Sequence, residues 1–388
     1  MDTYLLKKTD FPRWVELIQK SHDVFAPSRI HGEIFFSPVS TSPDLDLLTG
    51  TATLPYLPPK DFVFPQSEEL FSFSQQGKEV KLEVPKISER GTVLLGIRSC
   101  DISGISWMDK FYHENFKDIY YSRRRENLTF ISIACNQPVK NCFCVCCEGG
   151  PFLNAEGDEF DIQLIDLNEN FLGENACVWH ENKQKKIDQL VELKENYLVE
   201  CKSEKGKKLI GLSPEFFLAP NPAGMELRDQ LEENSRKSFF TDPTSYMSFA
   251  TRRITENSVP AEVWTELGER CFDDGGCTFV CPCCSCFGVG YLSGGGKGCH
   301  YRFWDSCDYS GFTREVSGHN PRAEKGERFK RRFYHKLSYQ YVKRDGRIGC
   351  VGCGRCITAC PGEVGMPAVV ERIRNTKAQR NFQSGKLE

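Results

Sequence analysis

Two short apolar runs stand out in the first half of the chain. They are Thr92-Val-Leu-Leu-Gly-Ile97 and Leu128-Thr-Phe-Ile-Ser-Ile-Ala134, and both read as strands. Between them Ile102, Ile105, Met108 and Tyr112 recur at helical spacing, so a strand–helix–strand unit is predicted there. The first strand runs into Arg98-Ser-Cys100-Asp101 and the second into Cys135. Ligands collect at the carboxyl ends of strands in open α/β sheets, which puts Cys100 and Cys135 side by side as an expectation. From about Ser213 to Gly268 the pattern turns polar and partly helical, broken by Pro220, Pro222, Pro243 and Pro260. Further on, Phe329 and Phe333 lie one helical turn apart within a basic run, Arg322 to Lys336. That spacing predicts a helix packing its phenylalanines and turning Arg328, Lys330, Arg331 and Arg332 to solvent or an acidic partner. The tail beyond Arg374 is polar and reads as disordered.

Composition adds class-level limits. A chain of 388 residues favours two domains, each able to bury a core. The net charge of −3 argues against a general nucleic-acid binder. No apolar stretch approaches the length of a membrane span, and Met1-Asp-Thr-Tyr-Leu-Leu-Lys-Lys does not read as a secretory signal, so a cytoplasmic protein is expected. Twenty cysteines in a reducing compartment point to metal ligation rather than disulfides.

The cysteine spacing is the most specific chemical signal. Cys350-Val-Gly-Cys353-Gly-Arg-Cys356-Ile-Thr-Ala-Cys360-Pro361 is a C-x2-C-x2-C-x3-C-P run, in which three thiolates bind one 4Fe-4S cluster and the fourth reaches a second. The second run is Cys271-Phe-Asp-Asp274-Gly-Gly-Cys277-Thr-Phe-Val-Cys281-Pro282, with an aspartate in the second ligand position. Exchanging the last cysteine of each run gives one cluster on Cys271, Asp274, Cys277 and Cys360, and another on Cys350, Cys353, Cys356 and Cys281. A carboxylate suits cluster iron less well than a thiolate, so the first site is either Asp-ligated or a three-iron centre with Asp274 as a spectator. A structural zinc site is the plain alternative, but zinc usually takes two separated pairs of ligands.

Cys100, Cys135, Cys142 and Cys144 suggest a third 4Fe-4S site, with Cys146 and Cys147 as substitutes and packing of buried thiols as the alternative. Cys177 and Cys201 fall outside these groups and read as inert. A fourth metal site could form on Cys284, Cys286 and Cys307, in a segment that also holds Cys283, Cys299 and His319; packing against the cluster loops is the alternative.

Gly96-Ile-Arg-Ser-Cys-Asp101, Cys142-Phe-Cys144, Cys281-Pro-Cys-Cys-Ser-Cys286, Trp304-Asp-Ser-Cys307, Gly318-His-Asn320 and the run at Cys350, together with Pro58-Pro-Lys60, resemble the beta subunit of cytosolic sulfhydrogenases and the A subunit of anaerobic sulfite reductases. Two departures stand out: Asp274 replaces a cysteine and Cys283 a threonine. The resemblance implies an iron–sulfur electron-transfer subunit between a flavoprotein that handles NAD(P)H and a catalytic redox partner. The fold expected is an α/β (or α+β) N-terminal domain over 1–212, a helical connection over 213–268, and a ferredoxin-like dicluster domain with a large insertion over 269–388. Direct reduction of a sulfur compound around Cys284, Cys286, Cys307 and His319 is the rival function, and a zinc-dependent nucleic-acid module the second rival. The chain has no G-x-G-x-x-G run of its own for a dinucleotide.

Overall fold

The computed structural model describes residues 1–40, 43–51, 54–157, 159–168, 193–239, 247–342 and 346–377. Cys177 and the tail from 378 onward lie outside them. The first structural layer is a mixed sheet in the order β10-β1-β9-β8-β7-β6-β2-β3. Its strands are β1 (Asp2–Lys7), β2 (His22–Ile30), β3 (Glu33–Pro38), β6 (Gly91–Ile97), β7 (Leu128–Ile133), β8 (Ile162–Asp166), β9 (Asn196–Cys201) and β10 (Phe217–Leu218). β2, β6, β7 and β8 pair in parallel, and the flanking strands are antiparallel.

The strand–helix–strand unit expected from the pattern is present. Helix α2 (Ser99–Glu114) buries Ile102, Ile105, Met108 and Tyr112, and α3 (Ile119–Asn127) leads back into β7. The apolar runs are continuous because both faces of the sheet are covered. Val93, Leu95, Ile131 and Ile133 pack with α1 (Phe11–Gln19) and α4 (Glu204–Ile210), whereas Leu94 and Phe130 pack with α2 and α3. Helix α5 (Pro222–Phe239) closes a further part of that second face through Leu227 and Leu231.

The second layer is helical. Helices α6 (Met247–Thr255), α7 (Ala261–Arg270), α9 (Lys325–Leu337) and α11 (Met366–Arg374) share one core of Ile254, Trp264, Leu267, Phe329, Phe333 and Val370, and the loops of both cysteine runs lie against it. Helices α6 and α7, from the stretch read as a connection, therefore share a core with the cysteine runs, whereas α5 packs on the large sheet. The segment between the runs holds the hairpin β11 (Phe287–Gly294) and β12 (Lys297–Trp304). β12 pairs with β4 (Ser67–Gln76), which pairs with β5 (Glu79–Glu83), so the insertion and the N-terminal half share a second sheet. The insertion is thereby tied to the first half of the chain. Among the described residues no helix is long and apolar enough to cross a membrane.

Candidate iron–sulfur sites

The two cysteine runs take the same local structure. Each has a glycine of positive φ after the second ligand position, Gly275 (φ 69°) and Gly354 (φ 79°), where a residue with a Cβ is strained. Each glycine caps a one-turn helix, α8 (Gly276–Phe279) and α10 (Arg355–Thr358). The turns carry matching hydrogen bonds, Thr278 N to Gly275 O at 2.9 Å and Ile357 N to Gly354 O at 2.9 Å, then Val280 N to Gly276 O at 3.0 Å and Ala359 N to Arg355 O at 2.9 Å. The replacement of a cysteine by Asp274 leaves this frame intact, because the turn is set by Gly275 and by the Asp274 Oδ1 that accepts from Gly276 N at 2.9 Å.

Cys271, Asp274, Cys277 and Cys360 line one pocket, next to Cys356. Cys281 of the first run sits instead among Cys350, Cys353 and Cys356, each of which feels its charge. Hydrogen bonds from the Cys283 and Cys284 thiols, aided by Lys336 and Arg332, hold the Cys281 thiol well below the usual thiol range. Burial pushes Cys271 and Cys356 up to about 11.

Cys100 and Cys135 follow the carboxyl ends of the parallel neighbours β6 and β7. The loop carrying Cys142 and Cys144 lies across them, held by Ser99 Oγ donating to Pro151 O (2.6 Å) and Cys135 N to Pro151 O (3.3 Å). Cys142 feels Cys135, Cys100 feels Cys142, and Cys144 feels both Cys142 and Cys135. This group adjoins the second run: Cys142 Sγ donates to Cys353 O (3.5 Å), and Cβ atoms at Gly352 or Gly149 would meet backbone atoms of Phe143 (2.5 Å) or Val351 (2.3 Å). Cys147, held in reserve for this group, turns instead to Cys350.

In the insertion, Cys283, Cys284, Cys286 and Cys307 line one cavity. The other two candidates are elsewhere. His319 is exposed and does not line that cavity, where the histidine is His335; Cys299 lies on β12 against β4 and β11. Cys201 is buried on β9.

The expectation for the basic helix is corrected. Arg328, Arg332 and Lys336 are buried, because they form a stripe at i, i+4 and i+8 beside Phe329, Phe333 and Leu337, and both stripes face inward. Lys336 Nζ donates to Cys281 Sγ (3.2 Å), Arg332 Nη2 to Cys277 O (3.2 Å), and Arg328 Nη2 to Asp273 Oδ2 (3.1 Å). Sequence reasoning also missed Lys60, which donates to Thr278 O and Cys284 O (both 3.1 Å), Arg98 beside Cys135, and the buried Asp308, whose Oδ2 lies 3.3 Å from Cys277 Sγ. Only the stripe had a local signal.

The donors fit iron–sulfur clusters. Thiolates of such clusters accept backbone N–H bonds that tune them. Asp273 N points at Cys271 Sγ (3.5 Å) and Val364 N at Cys360 Sγ (3.4 Å), while Cys350, Cys353 and Cys356 take backbone bonds from Gly352, Arg355 and Met366.

Known proteins agree with this class. Residues 270–364 match the family model of the 4Fe-4S dicluster domain, so the chain carries a dicluster module that spans both runs and the insertion. Over 371 residues the chain is 28% identical to the sulfhydrogenase 2 subunit beta of Pyrococcus furiosus, covering 94% of this chain and 96% of that relative. The resemblance read from the motifs thus extends along nearly the whole sequence.

Proposed function

We propose that this chain is an electron-transfer subunit holding at least three 4Fe-4S clusters in file. The first site is Cys271, Asp274, Cys277 and Cys360; the second is Cys281, Cys350, Cys353 and Cys356; the third is Cys100, Cys135, Cys142 and Cys144. The observation that supports this reading is the repeated backbone of the two runs, with Cys360 lining a pocket beside Cys271, Asp274 and Cys277, and Cys281 close to Cys350, Cys353 and Cys356. When bound, each cluster supplies a one-electron redox centre. The protein's part is to bury the thiolates, direct amides at them and hold neighbouring sites in contact. Cys277 feels Cys356 across the first and second sites, and Cys100 and Cys144 feel Cys353 across the second and third. By analogy with a subunit of a sulfhydrogenase, the two ends of this file would serve a flavin- and NAD(P)H-handling subunit and a catalytic partner.

Anaerobically purified protein should contain iron and sulfide for at least three clusters, and electron paramagnetic resonance of the fully reduced protein should show spin coupling between neighbours. Uncoupled signals would sink the file. A folded Cys100→Ser/Cys142→Ser variant with unchanged iron would remove the third site.

A further inference from the structure

We propose that Cys284, Cys286 and Cys307, with Cys283 as the fourth thiol, hold a further iron–sulfur cluster inside a cage of three buried cations, Lys60, Arg332 and Lys336. The four cysteines line one cavity under α9, where Cys286 and Cys307 are in hydrogen-bond contact. Two chain segments meet there and are fixed by Asp305 N donating to Cys286 O at 3.1 Å.

The charge around the cavity is what needs explaining. Lys60 is 2% exposed, Arg332 5% and Lys336 7%. Among the described residues none of the three forms an ion pair with a carboxylate. Lys60 donates to two carbonyl oxygens and lies 4.3 Å from the Trp304 ring centre. Arg332 binds Thr278 Oγ1 (3.1 Å) and Cys277 O and comes within 4.0 Å of Cys284 Sγ; Lys336 binds Gly349 O (3.0 Å) and Cys281 Sγ. Elsewhere in the protein Arg302 pairs with Glu68 and Asp118, and Arg355 pairs in bidentate fashion with Asp101, whereas the buried Arg98 and Arg253 are held singly by backbone carbonyls; what sets this cavity apart is three such cations around one group of thiols. Burial of an unmatched cation is costly, and negative charge held in the cavity would offset that cost.

Asp308 can offset one of the three, though its Oδ2 faces Cys277. The Cys281 thiolate of the second site can offset another. What is left falls to the thiols of the cavity, and a thiolate-ligated cluster is an anion of the required sign. Among the described residues no three His, Cys, Asp or Glu side chains converge as a single metal ion needs. The four cysteines line one cavity instead, a donor set that suits a polynuclear centre.

The test uses native, anaerobic holoprotein, alkylated with iodoacetamide and mapped by mass spectrometry. Cys299, half-buried like Cys286 and Cys307 but outside every proposed site, is the internal control. We expect Cys286 and Cys307 to resist labelling while Cys299 reacts, and to react at its rate once iron is removed under reducing conditions. Cys286→Ser/Cys307→Ser should then lose about a quarter of the iron and sulfide while the signals of the other three clusters persist. Labelling of Cys286 and Cys307 at the Cys299 rate in holoprotein that contains iron for only three clusters would overturn this site and leave the three-cluster reading intact. Protection that survives iron removal would overturn it as well.

Discussion

Asp274 occupies the one ligand position at which the two runs differ, and it lines the pocket of the first site from an exposed turn. A carboxylate holds iron less firmly than a thiolate and can be protonated. Mild oxidation should therefore convert the first cluster to a three-iron form, seen by electron paramagnetic resonance, and Asp274→Cys should protect it. An Asp274→Cys protein with the parent's lability and spectrum would show that the carboxylate is a spectator. Asp101 makes a different kind of claim. Its two oxygens hold Arg355 at 2.5 and 2.9 Å, both residues buried, between the second and third sites. Asp101→Ala would strand a buried guanidinium and should destabilise the protein by roughly 3–5 kcal/mol, read as a lowered denaturation midpoint. The two cysteine runs of the dicluster module were legible because cluster-binding motifs are written in short-range spacing. The pairings of Lys60 with Cys284 and of Asp308 with Cys277 were not, since they join residues far apart in the chain.

At the scale of one element, α9 shows how a correct period can carry a wrong orientation. The phenylalanine stripe was visible, and so was the cationic one beside it, but charge alone suggested solvent. The buried carbonyl oxygens and thiols that accept from Arg332 and Lys336 come from residues 277–281 and 349, and they reverse that preference. An N–H donor and a positive charge beside Cys281 favour the reduced, more negative form of the second cluster. Lys336→Gln should thus shift that cluster to a more negative potential. A tenfold change in its reduction equilibrium corresponds to about 59 mV for one electron. Redox titration followed by electron paramagnetic resonance checks this, and an unchanged or more positive potential would refute it. Charge reversal at Arg332 should impair folding and cluster content rather than a docking step that depends on salt.

For the whole molecule, the clusters should act as part of the core. Without their negative charge Asp308 can offset only one of Lys60, Arg332 and Lys336, and each cation left buried and unmatched costs several kcal/mol. Removing iron with an oxidant and chelator should lower the melting temperature cooperatively and expose apolar surface of the helical layer, followed by circular dichroism and dye binding. Apoprotein as stable as holoprotein would contradict the charge argument. The parallel centre of the large sheet was legible because β6 and β7 sit close in sequence and both their faces are covered. The second sheet and the merging of residues 247–270 with the dicluster core were not, because they depend on contacts across most of the chain.

That second sheet also has a consequence for the order in which the protein is made. Ser74 on β4 pairs with Lys297 on β12, so the β4–β5 hairpin is synthesised more than two hundred residues before its partner. At translation rates of about 5–20 residues per second, the edge of β4 waits on the order of ten to forty-five seconds on the ribosome. An unpaired strand edge is an opening for wrong partners during that interval. The cysteines of the proposed third site, by contrast, are all synthesised by residue 144, roughly two hundred residues before the Val351 and Gly352 backbone that lies against their loop. The nascent chain therefore presents a cysteine group before its lid, which leaves a period in which iron and sulfide can be delivered to an open site.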